Sequence, residues 1–146
     1  MIGLLQRVNE ASVAVEGQAI AAIGPGLLVL VGFEREDRPE RLGRFVQRLL
    51  DYRVFADQQG RMNLSLRDTG GGLLLVPQFT LAADTNAGNR PSFTPAAPPD
   101  QGRVLFEQLV QLARQAWPDT NTGEFGANMQ VSLVNDGPVT FWLDVH

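Results

Sequence analysis

The sequence predicts a mixed α/β fold, α+β in character, formed by a single domain over residues 1–146. Short segments that are apolar or alternate with polar residues recur along the chain, as strands require. Two longer segments repeat apolar residues at intervals of three and four positions, which is typical of amphipathic helices. The composition, 44% hydrophobic and 19% charged, is that of an ordinary globular protein, and 146 residues can bury a sizeable core.

The first part of the chain is predicted to be a β-meander. Gly24-Pro25-Gly26 is a strong turn signal between two of its strands. The segments with strand character are Ile2–Val8, Ser12–Val15, Gln18–Ile23 and Leu27–Val31.

A first amphipathic helix is predicted over residues 38–51. Asp37 is placed as an N-cap, Pro39 lies in the first turn, and Glu40, three residues after the cap, completes a capping box. Apolar residues then recur at helical spacing, namely Leu42, Phe45, Val46, Leu49 and Leu50.

The rest of the chain contains a buried strand, a long loop and a second helix. The run LLLVPQFTL, residues 73–81, follows three glycines and predicts a buried strand that meets a proline near its end. Residues 84–99 form a loop rich in Pro, Asn, Thr and Gly, and loops of this length are often functional. A helix with one apolar stripe runs from Asp100 and ends by Trp117. Further strand or edge segments are predicted at Tyr52–Phe55, Met62–Arg67, Gly123–Gly126, Met129–Val134 and Val139–Val145.

Several absent residue types exclude much enzyme chemistry. The chain has no cysteine, its only histidine is His146, and all twelve basic residues are arginine. Disulfides, thiolate nucleophiles, Cys- or His-rich metal sites and lysine Schiff bases are therefore excluded, and a Ser-His-Asp triad is improbable. We expect no metal and no cofactor. Any chemistry must use backbone dipoles, hydroxyl groups, positioning or groups of the substrate itself.

The net charge and the hydropathy of the chain limit its expected partners and its expected location in the cell. A net charge of −4 argues against a protein that coats nucleic acid non-specifically, so DNA is not expected as a partner. The arginines of residues 35–48 are most simply a solvated helix face, although arginines can also cluster on phosphate. No apolar run approaches the roughly 20 residues of a membrane span, and no signal peptide is recognisable. We expect a cytoplasmic protein without a membrane partner.

Two stretches stand out as candidates for chemistry: PQFT, residues 77–80, and NDGPVT, residues 135–140. Each places a proline beside polar residues at the end of an apolar strand, where backbone N–H groups free of the ladder can form an oxyanion hole. The aromatic face of Phe79 can stack on a base. Structural roles are equally open, because Phe79 can be a core residue and Asn-Asp-Gly-Pro is a good hairpin turn.

The arrangement of these stretches resembles the D-aminoacyl-tRNA deacylase family. The similarity covers Met1 to Val145 and rests on IGLLQRVNEASVAVEG, YRVFADQQGRMNLSL, VPQFTLAADTNAGNRPSF and GEFGANMQVSLVNDGPVTFWL. Of the two family motifs, Asn-x-Gly-Pro-x-Thr is matched fully by residues 135–140. Ser-Gln-x-Thr is matched with one departure, since Pro77 stands in place of the serine.

The resemblance implies a fold, a function and a set of site residues. The fold is a barrel-like mixed β-sheet with two main amphipathic helices outside. The function is hydrolysis of the ester between a D-amino acid, or mischarged glycine, and the 3′-terminal adenosine of tRNA by a homodimer. The resemblance also implies that the Gly-Pro bond is cis and that it enters the partner subunit's pocket, where it excludes L-amino acids. The residues implied are Gln78, Phe79 and Thr80 for catalysis, and Gly137, Pro138, Arg7, Met129 and Phe79 for substrate binding.

The implied mechanism uses the 2′-hydroxyl of the terminal ribose, so it needs no His or Cys nucleophile. The amides of Phe79 and Thr80 are our candidates for the oxyanion hole, and a nucleophilic Thr80 hydroxyl stays open. Two alternatives also stay open. One is a non-catalytic RNA-binding module of the same fold, favoured only by Pro77. The other is a small-molecule esterase that uses a carboxylate such as Asp84.

Overall fold

A mixed β-sheet forms the centre of the computed structural model, which describes all 146 residues. Eight strands and three α-helices follow one another along the chain. In order they are β1 (Ile2–Val15), β2 (Gln18–Ile23), β3 (Gly26–Gly32), α1 (Leu42–Asp51), β4 (Phe55–Ala56), β5 (Met62–Leu64), α2 (Leu66–Thr69), β6 (Gly72–Pro77), α3 (Pro99–Ala116), β7 (Thr120–Thr122) and β8 (Met129–Asp144). Two 3₁₀ turns, Pro39–Arg41 and Phe79–Ala82, complete the list. None of the helices combines the length and apolar character that a membrane-spanning segment requires.

The long strand β1 organises the sheet. Its first half pairs antiparallel with β3 and its second half with β2, while β8 pairs antiparallel along its other edge. The strands β3, β6 and β7 are parallel to one another, and β4 and β5 form a separate small hairpin. This is the barrel-like mixed sheet, with helices outside it, that the resemblance implied.

The strands β3 and β6 are buried on both faces, which explains why they are apolar throughout. On one face, Leu27, Val29 and Leu75 pack against apolar residues of α1 and α3. On the other face, Leu28, Leu74 and Val76 pack under the second half of β1 and the apolar residues of β8. The sheet therefore folds over itself and brings the start of β8 close to the end of β6.

Most of the predicted elements are present, and two strands are longer than expected. The strand predicted at Gly123–Gly126 is wrong, since the strand there is β7 and ends at Thr122, and the one predicted at Tyr52–Phe55 contains strand only at Phe55. The segments Ile2–Val8 and Ser12–Val15 are one strand, β1, and the segments 129–134 and 139–145 belong to one strand, β8. The second helix runs from Pro99 to Ala116, close to the predicted bounds.

The predicted capping box before α1 is wrong. No side chain caps this helix, and Asp37 instead accepts hydrogen bonds from the Glu34 amide (2.7 Å) and the Met1 amino group (2.6 Å). The amino group is fully buried and also donates to the Val145 carbonyl at 2.9 Å. A capping box does occur at Ser65 and Asp68, where the pKa of Asp68 is lowered, chiefly by the backbone N–H of Ser65. The Met1 amino group thus connects Asp37, in the segment before α1, with Val145, which follows β8.

We predict that Asp37→Asn destabilises the fold by up to about 3–5 kcal/mol, because it removes the buried carboxylate 2.6 Å from the Met1 ammonium and leaves only the partly exposed Glu34 carboxylate at 3.5 Å. Urea unfolding measures this as a lower midpoint at an unchanged slope. Asp51→Asn is the matched control, since Asp51 pairs with Arg67 in the open and should cost less than about 1 kcal/mol. Equal midpoints for the two variants would contradict the structural role of the buried pair.

Candidate active site

The strand β6 ends in a 3₁₀ turn that exposes two backbone amides. The Gln78 amide donates to the Val31 carbonyl at 2.7 Å, which fixes the turn to the end of β3. The first hydrogen bond of the turn itself runs from the Leu81 amide to the Gln78 carbonyl at 3.3 Å. The amides of Phe79 and Thr80 precede this bond and so have no acceptor within the turn. They are two adjacent donors on an exposed turn.

Phe79 is not a core residue, because 57% of it is exposed. Its ring lies against that of Phe93, with centroids 5.2 Å apart and planes tilted by 58°. Phe93 belongs to the predicted long loop, which Asp84 and Ser92 close through a reciprocal pair of backbone hydrogen bonds of 2.8 and 2.9 Å. The two rings form an exposed aromatic surface at the end of β6, and sequence reasoning identified Phe79 but not Phe93.

Gln78 and Thr80 contact one another through their side chains. The side-chain nitrogen of Gln78, Nε2, donates to the Thr80 hydroxyl oxygen, so this nitrogen cannot accept the hydroxyl proton. No histidine or carboxylate hydrogen-bonds the hydroxyl either. An activated hydroxyl nucleophile requires an adjacent base, and this one has none.

Met129 reaches the same region from the start of β8. Its sulfur accepts a hydrogen bond from the Glu124 amide at 3.4 Å. The sulfur also fills the space beside Gly123, where a Cβ would lie 2.8 Å from it and 3.5 Å from the Pro77 Cδ. The fold therefore groups Met129 with Pro77 and, two residues further on, Phe79.

The Gly137-Pro138 segment is a protrusion from β8 and not a hairpin turn. Gln6 pairs with Thr140 and Val8 with Asn135, so the single residue Arg7 of β1 faces the four residues 136–139. The segments of β8 before and after residues 136–139 both pair antiparallel with β1 and run in the same direction. A hairpin would reverse the direction of the chain, so the hairpin alternative is wrong. The Gly137-Pro138 peptide bond is cis in the structure.

Asn135 holds the base of this protrusion. Its side-chain oxygen accepts from the Val139 amide at 2.7 Å, and its side-chain nitrogen donates to the Thr140 hydroxyl at 2.9 Å. One asparagine thereby bridges the points where the chain leaves and rejoins the strand. These contacts give the asparagine and threonine of the matched motif a structural role.

Arg7 supports the protrusion from the side of β1. Its Nε donates to the Asp136 carbonyl at 2.9 Å, and its Nη1 donates to the Val54 carbonyl at 2.9 Å. The Asp136 carboxylate lies 3.5 Å from Nε, and the Arg7 side chain is only 15% exposed. The guanidinium therefore ties the protrusion to the segment that follows α1.

Gly137 occupies a backbone position that other residues rarely adopt, with φ at +147°. A Cβ at this position would lie 2.6 Å from the Val139 Cγ2 and 2.8 Å from the Val139 nitrogen. Neither contact is sterically allowed, so the protrusion requires glycine at this position.

The predicted site residues form two groups in the chain. One contains Gln78, Phe79, Thr80 and Met129 near the end of β6, and the other contains Arg7, Gly137 and Pro138 at the middle of β1. Along β8, Met129 pairs with Val15 and Asn135 with Val8, so these two residues are six positions apart in one strand. At about 3.3 Å per residue, the start of β8 and the base of the protrusion lie roughly 20 Å apart. The two groups therefore lie at different positions along the same strand.

Carboxylates elsewhere do not form a catalytic centre. Asp84 is exposed, and one of its side-chain oxygens accepts from the Asn86 amide at 2.9 Å. Asp57 lies on the β4–β5 hairpin, where its pKa is lowered, first of all by the backbone N–H of Arg61. These contacts stabilise turns, and neither residue touches Phe79 or the protrusion.

Comparisons with known proteins place the chain in a family. A family model described as D-Tyr-tRNA(Tyr) deacylase matches residues 4–144. A D-aminoacyl-tRNA deacylase from Thioalkalivibrio sulfidiphilus is 63% identical over 145 residues, which cover 99% of this chain and 97% of the relative. One from Azotobacter vinelandii is 62% identical over 144 residues, with 99% of each chain covered.

Solved structures share the fold of this chain. A structure described as a c-Myc DNA unwinding element binding protein matches with a TM-score of 0.94 at 39% identity, covering 99% of this chain and 98% of that one. A probable eukaryotic D-amino acid tRNA deacylase shares the fold, with a TM-score of 0.85 at 19% identity over 97% of both chains. The chain therefore belongs to the D-Tyr-tRNA(Tyr) deacylase family and is a hydrolase of the ester bond of D-aminoacyl-tRNA.

We predict that Arg7→Lys destabilises the fold by about 1–3 kcal/mol, because one ammonium group cannot reach both carbonyls that the guanidinium joins. Urea unfolding gives the stability, and amide hydrogen exchange at Val139 reports the protrusion. Arg61→Lys is the control, since the Arg61 side chain makes no ion pair and is exposed. Unchanged exchange at Val139 in Arg7→Lys would show that Arg7 does not hold the protrusion.

Proposed function

We propose that this member of the deacylase family proofreads chirality, removing D-amino acids and glycine from the 3′-terminal adenosine of tRNA as a cytoplasmic homodimer. The observation that carries the proposal is the separation along β8, roughly 20 Å, between Met129 in the Phe79 group and the base of the Gly137-Pro138 protrusion. A second copy of the chain can bring its protrusion to the first copy's Phe79 group, and the site is then complete at the subunit interface.

The surface of the protrusion strand suits such an interface. The strand β8 pairs only with β1, so its second edge carries free backbone hydrogen-bonding groups. Trp142 and Val134 on this strand are 55% and 47% exposed, and burying them against a second chain would remove apolar surface from water. In a two-fold dimer the same surface serves both subunits, so each pocket would receive the partner's protrusion.

The terminal adenosine is assigned to the aromatic surface at the end of β6. An exposed pair of rings, Phe79 and Phe93, can stack on a base and gain roughly 1–3 kcal/mol per base. Met129 contributes a polarisable and adaptable apolar surface beside Pro77. This places the ester, which is attached to the ribose, near the amides of the same turn.

Hydrolysis in this proposal relies on the backbone and on the substrate. The free amides of Phe79 and Thr80 stabilise the negative charge that develops on the ester carbonyl oxygen, and one such donor typically contributes about 2.7–4 kcal/mol. The substrate 2′-hydroxyl supplies the assistance that no side chain of the site can give. Pro77 is compatible with this mechanism, because it removes neither of these two amides.

Chiral selection in this proposal is steric and comes from the backbone. A rigid wall formed by Gly137 and Pro138 tests only the direction in which the Cα substituent points. It therefore rejects an L side chain, accepts D side chains of many kinds, and does not reject glycine, which has no substituent. The contacts of Asn135 and Arg7 support the wall, because they fix its position relative to β1.

The structure gives no support to the carboxylate-dependent esterase, because Asp84 is exposed and engaged in a turn. Incubation with D-Tyr-tRNA and L-Tyr-tRNA separates the enzyme from the non-catalytic RNA-binding module. We expect release of D-tyrosine and retention of L-tyrosine. Release of neither D-tyrosine nor L-tyrosine would contradict the proposed proofreading function.

We predict that Gly137→Ala removes most of the discrimination between D- and L-Tyr-tRNA, or abolishes binding, because the added Cβ collides with Val139. The measurement is the ratio of kcat/KM for the two substrates. Gly43→Ala is the control, since a Cβ there meets open space on α1 and the helix favours alanine by up to about 1 kcal/mol. An unchanged D/L ratio in Gly137→Ala would remove the protrusion from the mechanism.

We predict that Thr80→Ala and Thr80→Ser keep the single-turnover rate on D-Tyr-tRNA within about tenfold of the wild type, because the amide donors remain. Rapid-quench measurement under enzyme excess gives this rate directly. A loss of more than about a thousandfold in Thr80→Ala with near-normal activity in Thr80→Ser would identify the hydroxyl as the nucleophile instead.

A further inference from the structure

We infer that the exposed side of α1 and the segment before it bind the sugar-phosphate backbone of the substrate's acceptor end. We call this surface the arginine face, and it comprises Arg35, Arg38, Arg41, Arg44 and Arg48. The inference rests on the proposed function, since it assigns the path of the same tRNA whose terminal adenosine lies at Phe79.

The arginine face is positive in a protein that is negative as a whole. Residues 35–48 contain five arginines and three acids, a net charge of +2, whereas the other residues carry −6 and the whole chain −4. None of the five arginines has a carboxylate within 4 Å, in contrast to Arg7 and Arg67. Of the local acids, Asp37 is buried against the Met1 amino group and so cannot neutralise the surface.

The arginine face is connected to the candidate active site through one arginine. The Arg35 amide donates to the Pro95 carbonyl at 3.1 Å, and its guanidinium donates to the Thr94 carbonyl. Thr94 directly follows Phe93, whose ring contacts Phe79. The positive surface therefore begins next to the aromatic pair on which the terminal base is proposed to stack.

Three arginines follow one another on α1 and the residue before it. Arg41 precedes the helix, and Arg44 and Arg48 lie on it three and seven positions further on, outside the buried apolar stripe. At 1.5 Å per residue, Arg41 and Arg48 are about 10 Å apart along the helix axis. Each guanidinium can bind a phosphate through two parallel hydrogen bonds, a geometry that lysine lacks.

The test compares a full substrate with a minimal one. The face variant, Arg41→Gln/Arg44→Gln, removes two charges of the arginine face. The control variant, Arg61→Gln/Arg114→Gln, removes two charges elsewhere that also have no carboxylate within 4 Å. The substrates are D-Tyr-tRNA and D-tyrosyl-adenosine, which has no phosphate. We expect the face variant to raise KM for D-Tyr-tRNA roughly thirtyfold near 0.15 M salt and to lower the slope of log KM against log salt by about 1.8.

The two substrates separate the possible outcomes. Unchanged kcat for D-Tyr-tRNA and unchanged hydrolysis of D-tyrosyl-adenosine by the face variant support the inference. Equal losses on both substrates, or an equal rise of KM in the control variant, overturn it, because the effect then lies in the pocket or in the net charge. Melting temperatures of both variants confirm that exposed substitutions leave the fold intact.

Binding to uncharged tRNA distinguishes failure of this inference from failure of the proposed function. If the wild type hydrolyses neither D-substrate, the proposed function fails, and fluorescence anisotropy with labelled uncharged tRNA still measures Kd against salt. A smaller salt slope for the face variant than for the wild type and the control supports the arginine face. Identical slopes for all three proteins overturn it.

Discussion

The pairing of β8 with β1 is the constraint on which the rest of the structure depends. Over most of their length the two strands match residue for residue, and at Arg7 one residue must face four. Because the flanking pairs are fixed by the ladder on both sides, the extra residues can only project out of the sheet. Asn135 and Arg7 then satisfy polar groups of the projecting backbone, which makes it a defined surface and not a loose loop.

The same pairing separates the two halves of the candidate site. It anchors the protrusion at the middle of β1, whereas the parallel pairing of β3 with β6 delivers Phe79 to the end of the sheet. The two groups therefore lie at the two ends of the segment of β8 that runs from Met129 to Asn135. In the proposed function, the exposed edge of β8 and the exposed Trp142 form the surface at which a second chain would complete the site.

The sequence predicted the elements whose residues follow a hydrophobic periodicity. It missed the features that depend on which residues pair across the sheet. The stripe from Leu42 to Leu50 identified α1, and the unbroken apolar run after Gly72 identified β6, because burial itself produces these patterns. Local turn chemistry could not distinguish a hairpin from a protrusion at Gly137, since the difference lies in which strand each flank pairs with. Asp37 was misassigned for a similar reason, because its partner is the amino group 36 residues away.

In the proposed mechanism, backbone groups take the catalytic roles for which the chain has no cysteine, no lysine and only one histidine. Amide donors do not titrate, so an oxyanion interaction with the amides of Phe79 and Thr80 would not depend on pH. A backbone wall would likewise contact only the hydrogen or substituent on Cα, so its selectivity would be independent of side-chain chemistry. Arg7 supports the protrusion through the Asp136 and Val54 carbonyls, and the arginine face is the proposed contact for the phosphates of the substrate.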